Sequence, residues 1–390
     1  MMSPGGIVER HRIRAPASRL SAEVDEPPLD RPARRWCQDR EVDEGLSPGS
    51  PELELRLSPS GVPESPMLAI PLDEWRDAPP DRIRRMADVV ASTLRITVGV
   101  LESEPTPAMR PLLRALTLTV TATGSGNDRE LVRRGDIASS VALLTDATER
   151  NPRASVALAR LLRQTQTPDV EAGLAAEAAT YSMLLGGKEF ERWRAEHPVR
   201  AGAAPERPPV RIERHDGEAR ILLDHPERRN ALSTRMRESL LEAFQLAELD
   251  DSLTQIELRG AGPVFCSGGD LDEFGVATDL VAAYLVRLER APWRIIHRLR
   301  ERVTARVHGA CIGAGIEMTA FAGRLIADPG TYFVLPELGM GLVPGAGGTV
   351  SVSRRIGRWR AAWMMLTGEP VDAELALAWG LVDGIETGAR

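Results

Sequence analysis

His308-Gly-Ala-Cys-Ile-Gly-Ala-Gly-Ile-Glu317 is the stretch on which the reading of this chain turns. A β-branched run over 303–307 predicts a strand that ends near His308, and small residues then lead into a helix over 313–322. Amides at a helix start have no partner inside the helix and point outward with the dipole behind them. Gly313, Ala314 and Gly315 carry almost no side chain, so a ligand oxygen could approach those amides as in an oxyanion hole. Glu317 follows three residues after Ala314, on the same helix face, among Ile316, Met318, Ala320 and Phe321. An apolar setting raises a carboxyl pKa towards the range useful for acid–base work. A glycine turn with a hydrogen-bonded glutamate is the alternative.

Two further segments share this character. Val264-Phe-Cys-Ser-Gly-Gly-Asp270 follows a strand expected over 256–259 and offers a second exposed amide, or else a glycine turn in which Asp270 caps a helix. Leu335-Pro-Glu337 runs on to Pro344-Gly-Ala-Gly-Gly348, a tight turn into a helix expected over 349–366. Glu337 follows Glu317 by twenty residues, one return of the chain. Two carboxyls brought together push their pKa values apart and yield one acid and one base.

Around these segments, strands are expected at 210–213, 219–224 and 324–327, and helices at 233–248 and 280–299. Alternating strands and helices imply βα units. Residues 1–65, rich in Pro, Gly, Arg and Glu, read as a disordered tail. Residues 66–205 form a mostly helical α+β region: a helix over 81–92, strands over 94–101 and 116–120, then helices over 137–148, 154–164 and 170–193. An Ala/Pro/Gly linker over 200–209 leads into a third unit, 206–390.

Composition removes other chemistries. The chain of 390 residues has a formal net charge of −7, and Lys188 is its sole lysine among 49 basic residues. Ser182 stands where a phosphate-binding loop ending at Gly187-Lys188 would need its first glycine, and Schiff-base chemistry would rest on Lys188 alone. A mildly acidic chain with 4% aromatics lacks the basic footprint of a nucleic-acid binder. Cys37, Cys266 and Cys311 are too scattered for a disulfide framework and fit a reducing, cytoplasmic setting. The six histidines include no i,i+4 pair, so no helical metal site is expected. No apolar run is long enough to span a membrane, and no signal-peptide core is expected. The basic run Arg354, Arg355, Arg358 and Arg360 reads as a solvated helix face.

Residues 209–385 resemble the crotonase (enoyl-CoA hydratase/isomerase) superfamily. The matching stretches are Asp224-His-Pro-Glu-Arg-Arg-Asn-Ala-Leu232, Phe265-Cys-Ser-Gly-Gly-Asp270, His308 to Glu317, Leu335-Pro-Glu337, Pro344-Gly-Ala-Gly-Gly-Thr349, Leu366-Thr-Gly368 and Trp379-Gly-Leu-Val-Asp383, in family order and at family spacing. The resemblance implies an α/β spiral ββα fold that binds an acyl-CoA thioester. It implies an oxyanion hole from the amides of Gly269 and Ala314, with Ala314 in place of the usual glycine. It implies Glu317 and Glu337 as the hydratase pair and puts Ser267, Gly268, Asp270 and Gly313 on the substrate-binding loops. Arg228 and Arg229 stand where the family often places basic residues near the CoA nucleotide, with a solvated turn as an equal alternative. No metal or redox cofactor is implied, and a homo-oligomer is. The implied reaction is hydration of a 2-enoyl-CoA. Isomerisation, thioester hydrolysis, a cofactor-free dioxygenase and a lapsed acyl-CoA-binding partner are the alternatives.

Crotonases continue past the Gly-Leu-Val motif with helices that cover the acyl site. Residues 154–193 resemble those terminal helices, and Thr123-Gly-Ser-Gly-Asn-Asp128 faintly echoes the active loop. The expectation is a degenerate, truncated crotonase unit whose last helices form a lid on the catalytic half. An unrelated dimerisation module is the alternative.

Overall fold

The computed structural model describes residues 51–124, 128–167, 169–199 and 207–388. Residues 1–50, most of the 200–209 linker and the centre of the Thr123–Asp128 echo lie outside the described residues. Residues 51–65 do not continue the expected disordered tail. They form a 3-10 turn, Pro51–Leu53, and a Leu57–Pro63 bridge, and Leu53 is buried.

The N-terminal region is a parallel four-stranded sheet followed by helices. Its strands are β1 (Met67–Pro71), β2 (Ile96–Leu101), β3 (Leu118–Thr121) and β4 (Leu131–Arg133), in that spatial order. Helices α1 (Pro80–Ser92) and α2 (Arg110–Ala115) make the crossovers between the first three. Strand periodicity sends alternate side chains to opposite faces. Ile70 packs with Ile83, Met86 and Leu112 beneath α1 and α2. Met67, Ala69, Val98 and Val120 join the main core. Four helices follow: α3 (Ile137–Arg150), α4 (Pro152–Gln164), α5 (Val170–Leu185) and α6 (Lys188–Glu196). The single helix expected over 170–193 is broken at Gly186-Gly187, where the α5 cap amides turn back onto Met183 and Leu184. Glycine loses the most backbone entropy in a helix.

In the C-terminal half, β5 (Val210–His215) and β6 (Glu218–Leu223) form the expected hairpin. They edge a six-stranded sheet with β7 (Gln255–Gly260), β8 (Val303–Val307), β10 (Arg324–Ala327) and β13 (Gly384–Ile385). A second sheet holds β9 (Ala310–Ile312), β11 (Tyr332–Val334) and β12 (Val371–Asp372). Helix α7 (Thr234–Leu249) starts where Ser233 Oγ accepts the Met236 amide. The helix expected over 280–299 is two, α8 (Leu280–Glu289) and α9 (Pro292–Arg298), because Pro292 has no N–H to continue the first. Likewise α11 (Gly348–Ile356) and α12 (Arg358–Thr367) meet at Gly357, whose φ is +81°. Short α10 (Ala314–Thr319) and α13 (Ala373–Trp379) complete the half.

One hydrophobic core runs through both regions. Leu144, Leu158, Leu162 and Leu174 share it with Val350, Trp363 and Leu366. Polar contacts follow the same seam: Asn151 Nδ2 donates to Leu338 O at 2.7 Å and Thr165 Oγ1 to Thr349 O at 2.9 Å. The basic run corrects its expectation. Arg358 and Arg360 are buried, donating to Arg114 O on α2 and to Asp128 O in the loop before β4, and thereby tie α12 to the N-terminal region. Arg354 alone of the four is exposed.

Candidate active site

Strand pairing brings the three sequence segments together. Phe265 N–H donates to His308 O, and Cys266 bridges Cys311 in parallel, so the first segment lies beside the second. β9 pairs in parallel with β11, and Gly313 N–H donates to Val334 O at 2.9 Å. All three strands run the same way and leave their ladders at the same end, which delivers Gly269, Ala314 and Glu337 to one place.

Local hydrogen bonding sets the two amides. Leu232 N–H donates to Gly268 O, and Asp270 N–H to Leu232 O. The residue between, Gly269, therefore directs its N–H away from that partner. Ala314 is the first residue of α10, where no intrahelical acceptor exists. Among the described residues neither amide donates to a protein acceptor. Gly313, at φ +48°, lets Glu337 come close: a Cβ there would lie 2.6 Å from Glu337 Oε1.

A cleft of about 140 Å³ is lined by Gly269, Ala314, Glu317 and Glu337, with Asp270, Ser233, Thr234, Arg237, Glu273, Phe274, Trp293, Tyr181 and Arg287 among its other walls. Glu317 is 2% exposed, and its Oε2 accepts the amides of Ala346 at 2.7 Å and Gly348 at 3.0 Å. Burial pushes its carboxyl up to about 7, against the pull of those amides and of the Arg287 charge. Glu337 is also buried, and its Oε2 has no hydrogen-bond partner. Burial, then the negative charges of Glu317 and Glu177, hold its carboxyl well above the ordinary range. The Arg287 guanidinium carbon lies 3.6 Å from the Tyr181 ring centroid, and its Nη1 donates to Gly345 O.

Other expected residues sit differently. Arg228 is held by Asp270 and Asp272 at 2.8–3.0 Å, and neither it nor the exposed Arg229 lines the cleft. Ser267, Gly268 and Gly313 shape the backbone of the loops without lining it. Between these stands Asn230, fully buried at φ +52°. It accepts the His225 amide and donates to the carbonyls of Ala261, Val264 and Phe265. It thereby pins the loop that carries Gly269.

Sequence reasoning missed Glu177, Tyr181 and Arg287. Glu177 accepts Gly347 N–H at 2.6 Å, Thr349 N–H at 2.8 Å and Thr349 Oγ1–H at 2.6 Å, from within the other region of the chain. Burial, then the Glu317 charge, raise it to about 8. The available signal was an acid set among alanines in an apolar helix. Among the described residues no His/Cys/Asp/Glu group could hold a metal ion, and no helix is long and apolar enough to cross a membrane.

Residues 213–389 match the model of the family described as enoyl-CoA hydratase/isomerase. Over these residues the chain is similar to the enoyl-CoA hydratase/isomerase family. Relatives of this enzyme family include "Probable enoyl-CoA hydratase 2, mitochondrial" of Arabidopsis thaliana, 34% identical over 42% of this chain and 54% of its own length. Trans-2-decenoyl-[acyl-carrier-protein] isomerase of Streptococcus mutans is 34% identical over 43% of this chain and 65% of its own. Thus the chain spans between about half and two thirds of the length of these two curated relatives. Among solved structures, an enoyl-CoA hydratase of Mycobacterium smegmatis is 32% identical, with a TM-score of 0.43 over 46% of this chain and 71% of that one. The matched residues contain the Gly269, Ala314, Glu317 and Glu337 positions, whereas Glu177 and Tyr181 precede them.

Proposed function

We propose that this protein hydrates the double bond of a 2-enoyl-CoA thioester. One observation carries the reading: a single cleft is lined by two backbone amides without protein acceptors and by two buried carboxyl groups. The thioester oxygen is placed at the amides of Gly269 and Ala314. Polarisation of the carbonyl makes the β-carbon electrophilic, and each preorganised donor contributes about 3 kcal/mol to the enolate-like transition state.

The two carboxyl groups divide the proton work by their environments. Glu317, raised to about 7, is substantially ionised near neutral pH and takes a proton from water as the water oxygen bonds to the β-carbon. Glu337, whose carboxyl burial and the Glu317 charge push well above the ordinary range, is the group that gives its proton to the α-carbon. The net change adds H and OH across the double bond, and solvent restores both carboxyl groups. Carboxylates and amides suffice for every step. The helices α4–α6 are assigned as the cover of this site, with Tyr181 of α5 on the cleft wall.

A second reading is isomerisation of the double bond by Glu337 alone, favoured by the unpartnered Glu337 Oε2 and by the isomerase among the relatives. Incubation with crotonyl-CoA in 18O-labelled water separates the two by mass spectrometry. Hydration predicts a labelled 3-hydroxyacyl-CoA. An unchanged thioester mass with a moved double bond in a longer substrate indicates isomerisation, and release of free CoA indicates hydrolysis.

A further inference from the structure

Four consecutive amides, those of residues 346–349, are shared alternately between two carboxylates. Ala346 and Gly348 donate to Glu317, and Gly347 and Thr349 donate to Glu177. The Thr349 hydroxyl adds a third bond to Glu177. The loop is thus held between the cleft carboxylate and a side chain of α5, which precedes the linker in sequence. Glu177 is 2% exposed and does not line the cleft, so it does not touch substrate and its hydrogen bonds reach the site through the loop.

The geometry points to Glu177 as a positioning residue: it fixes the 346–349 loop and through it the carboxylate of Glu317, so that the N-terminal region supplies part of the catalytic apparatus. This rests on the reading of Glu317 as the group that activates water. Its physical basis is the cost of freeing buried donors. Without Glu177, the amides of Gly347 and Thr349 must find other acceptors, and any shift that satisfies them drags Ala346 and Gly348 off Glu317. A misplacement of about 1 Å at a reacting group costs up to roughly 100-fold in rate.

The charged and titratable groups near Glu177 are Glu317 on α10 and Glu337 on the turn after β11, Arg287 on α8 and Arg294 on α9, with Tyr181 on its own helix.

The test uses the full chain, with Glu177→Gln and Thr349→Val, and two independent readouts. The first is the kinetics of crotonyl-CoA hydration. Glu177→Gln is expected to lower kcat by roughly 10- to 100-fold while KM stays within about threefold, because the lost interaction acts on the reacting group. Thr349→Val, lacking one bond, moves the same way by less. The second readout is the pH titration of the Ala346 and Gly348 amide resonances, whose midpoint near 7 reports Glu317 without any substrate. In Glu177→Gln that midpoint is expected to move by about half a pH unit or more. A folded Glu177→Gln protein whose Ala346 and Gly348 amides titrate as in the wild type overturns the proposal. Should Glu177→Gln not fold, Thr349→Val decides by the same two readouts. A wild type that does not hydrate crotonyl-CoA, beside a Glu177→Gln protein with the displaced titration, defeats the hydration reading and leaves the positioning role standing. Intact hydration with unmoved amides does the reverse.

Discussion

Burial of three carboxyl groups around one loop dominates the chemistry at the residue scale. Glu177, Glu317 and Glu337 all bind a proton more tightly in the folded chain than in the unfolded one. Their contribution to stability is therefore full below about pH 4.5 and is lost as pH rises through about 7 and 8. The urea midpoint is expected to be lower at pH 8.5 than at pH 6, and Glu337→Gln is expected to flatten that slope. An equal slope in the variant would show that Glu337 is not among the groups responsible. Ionisation of Glu317 predicts a kcat that rises near pH 7, and loss of the Glu337 proton predicts a falling limb, both read from a pH–rate profile. Asn230 supplies a test away from the proton chemistry. Asn230→Ala leaves the carbonyls of Ala261, Val264 and Phe265 without their shared donor and is expected to cost about 2–3 kcal/mol, read from chemical denaturation. A loss below about 0.5 kcal/mol would mean that water takes over those bonds.

Among the elements, α4 shows how far the N-terminal region is committed to the common core. Leu158 is fully buried within it, and Leu158→Ala is expected to destabilise the whole described fold by about 2–5 kcal/mol in one cooperative transition. Two separate transitions, with only the first displaced, would contradict a shared core. The long elements were legible because they are periodic: β8 and β10 match their expected bounds, and α7 matches within a residue at each end. The breaks at Gly186-Gly187, Pro292 and Gly357 also carried signals, in residues that resist helix. Strands β9, β11, β12 and β13 were not legible, because two or three residues hold no period. Their absence from the sequence reading mattered, since β9 and β11 bring Glu337 to Gly313. The candidate site was legible as Gly269, Ala314, Glu317 and Glu337 through glycine turns and family spacing. Glu177 was not, because its partners lie 170 and 172 residues away and no local pattern encodes such a contact. Arg358 and Arg360 misled for a similar reason: their charge suggested solvent, whereas backbone carbonyls more than 200 residues away, on α2 and in the loop before β4, receive them.

The molecule as a whole joins a family-matched half to a region that precedes it in sequence and completes its core. Removal of residues 1–203 would strip Leu158, Leu162 and Leu174 from Val350 and Trp363 and leave the 346–349 loop without Glu177. That fragment is expected to be insoluble or inactive; a soluble, fully active fragment would contradict the assignment of α4–α6 as the cover. A length that suggested separate domains is better explained by one core assembled from both parts. The central claim, that two carboxyl groups facing two free amides add water to an enoyl thioester, meets its most direct test in one assay. The loss of conjugated-thioester absorbance of crotonyl-CoA is followed with the wild type, Glu317→Gln and Glu337→Gln. Turnover by the wild type is expected, with a fall of roughly 100-fold or more in kcat for each variant, as for loss of an acid or base in the transition state. Unchanged turnover in Glu317→Gln would contradict that claim.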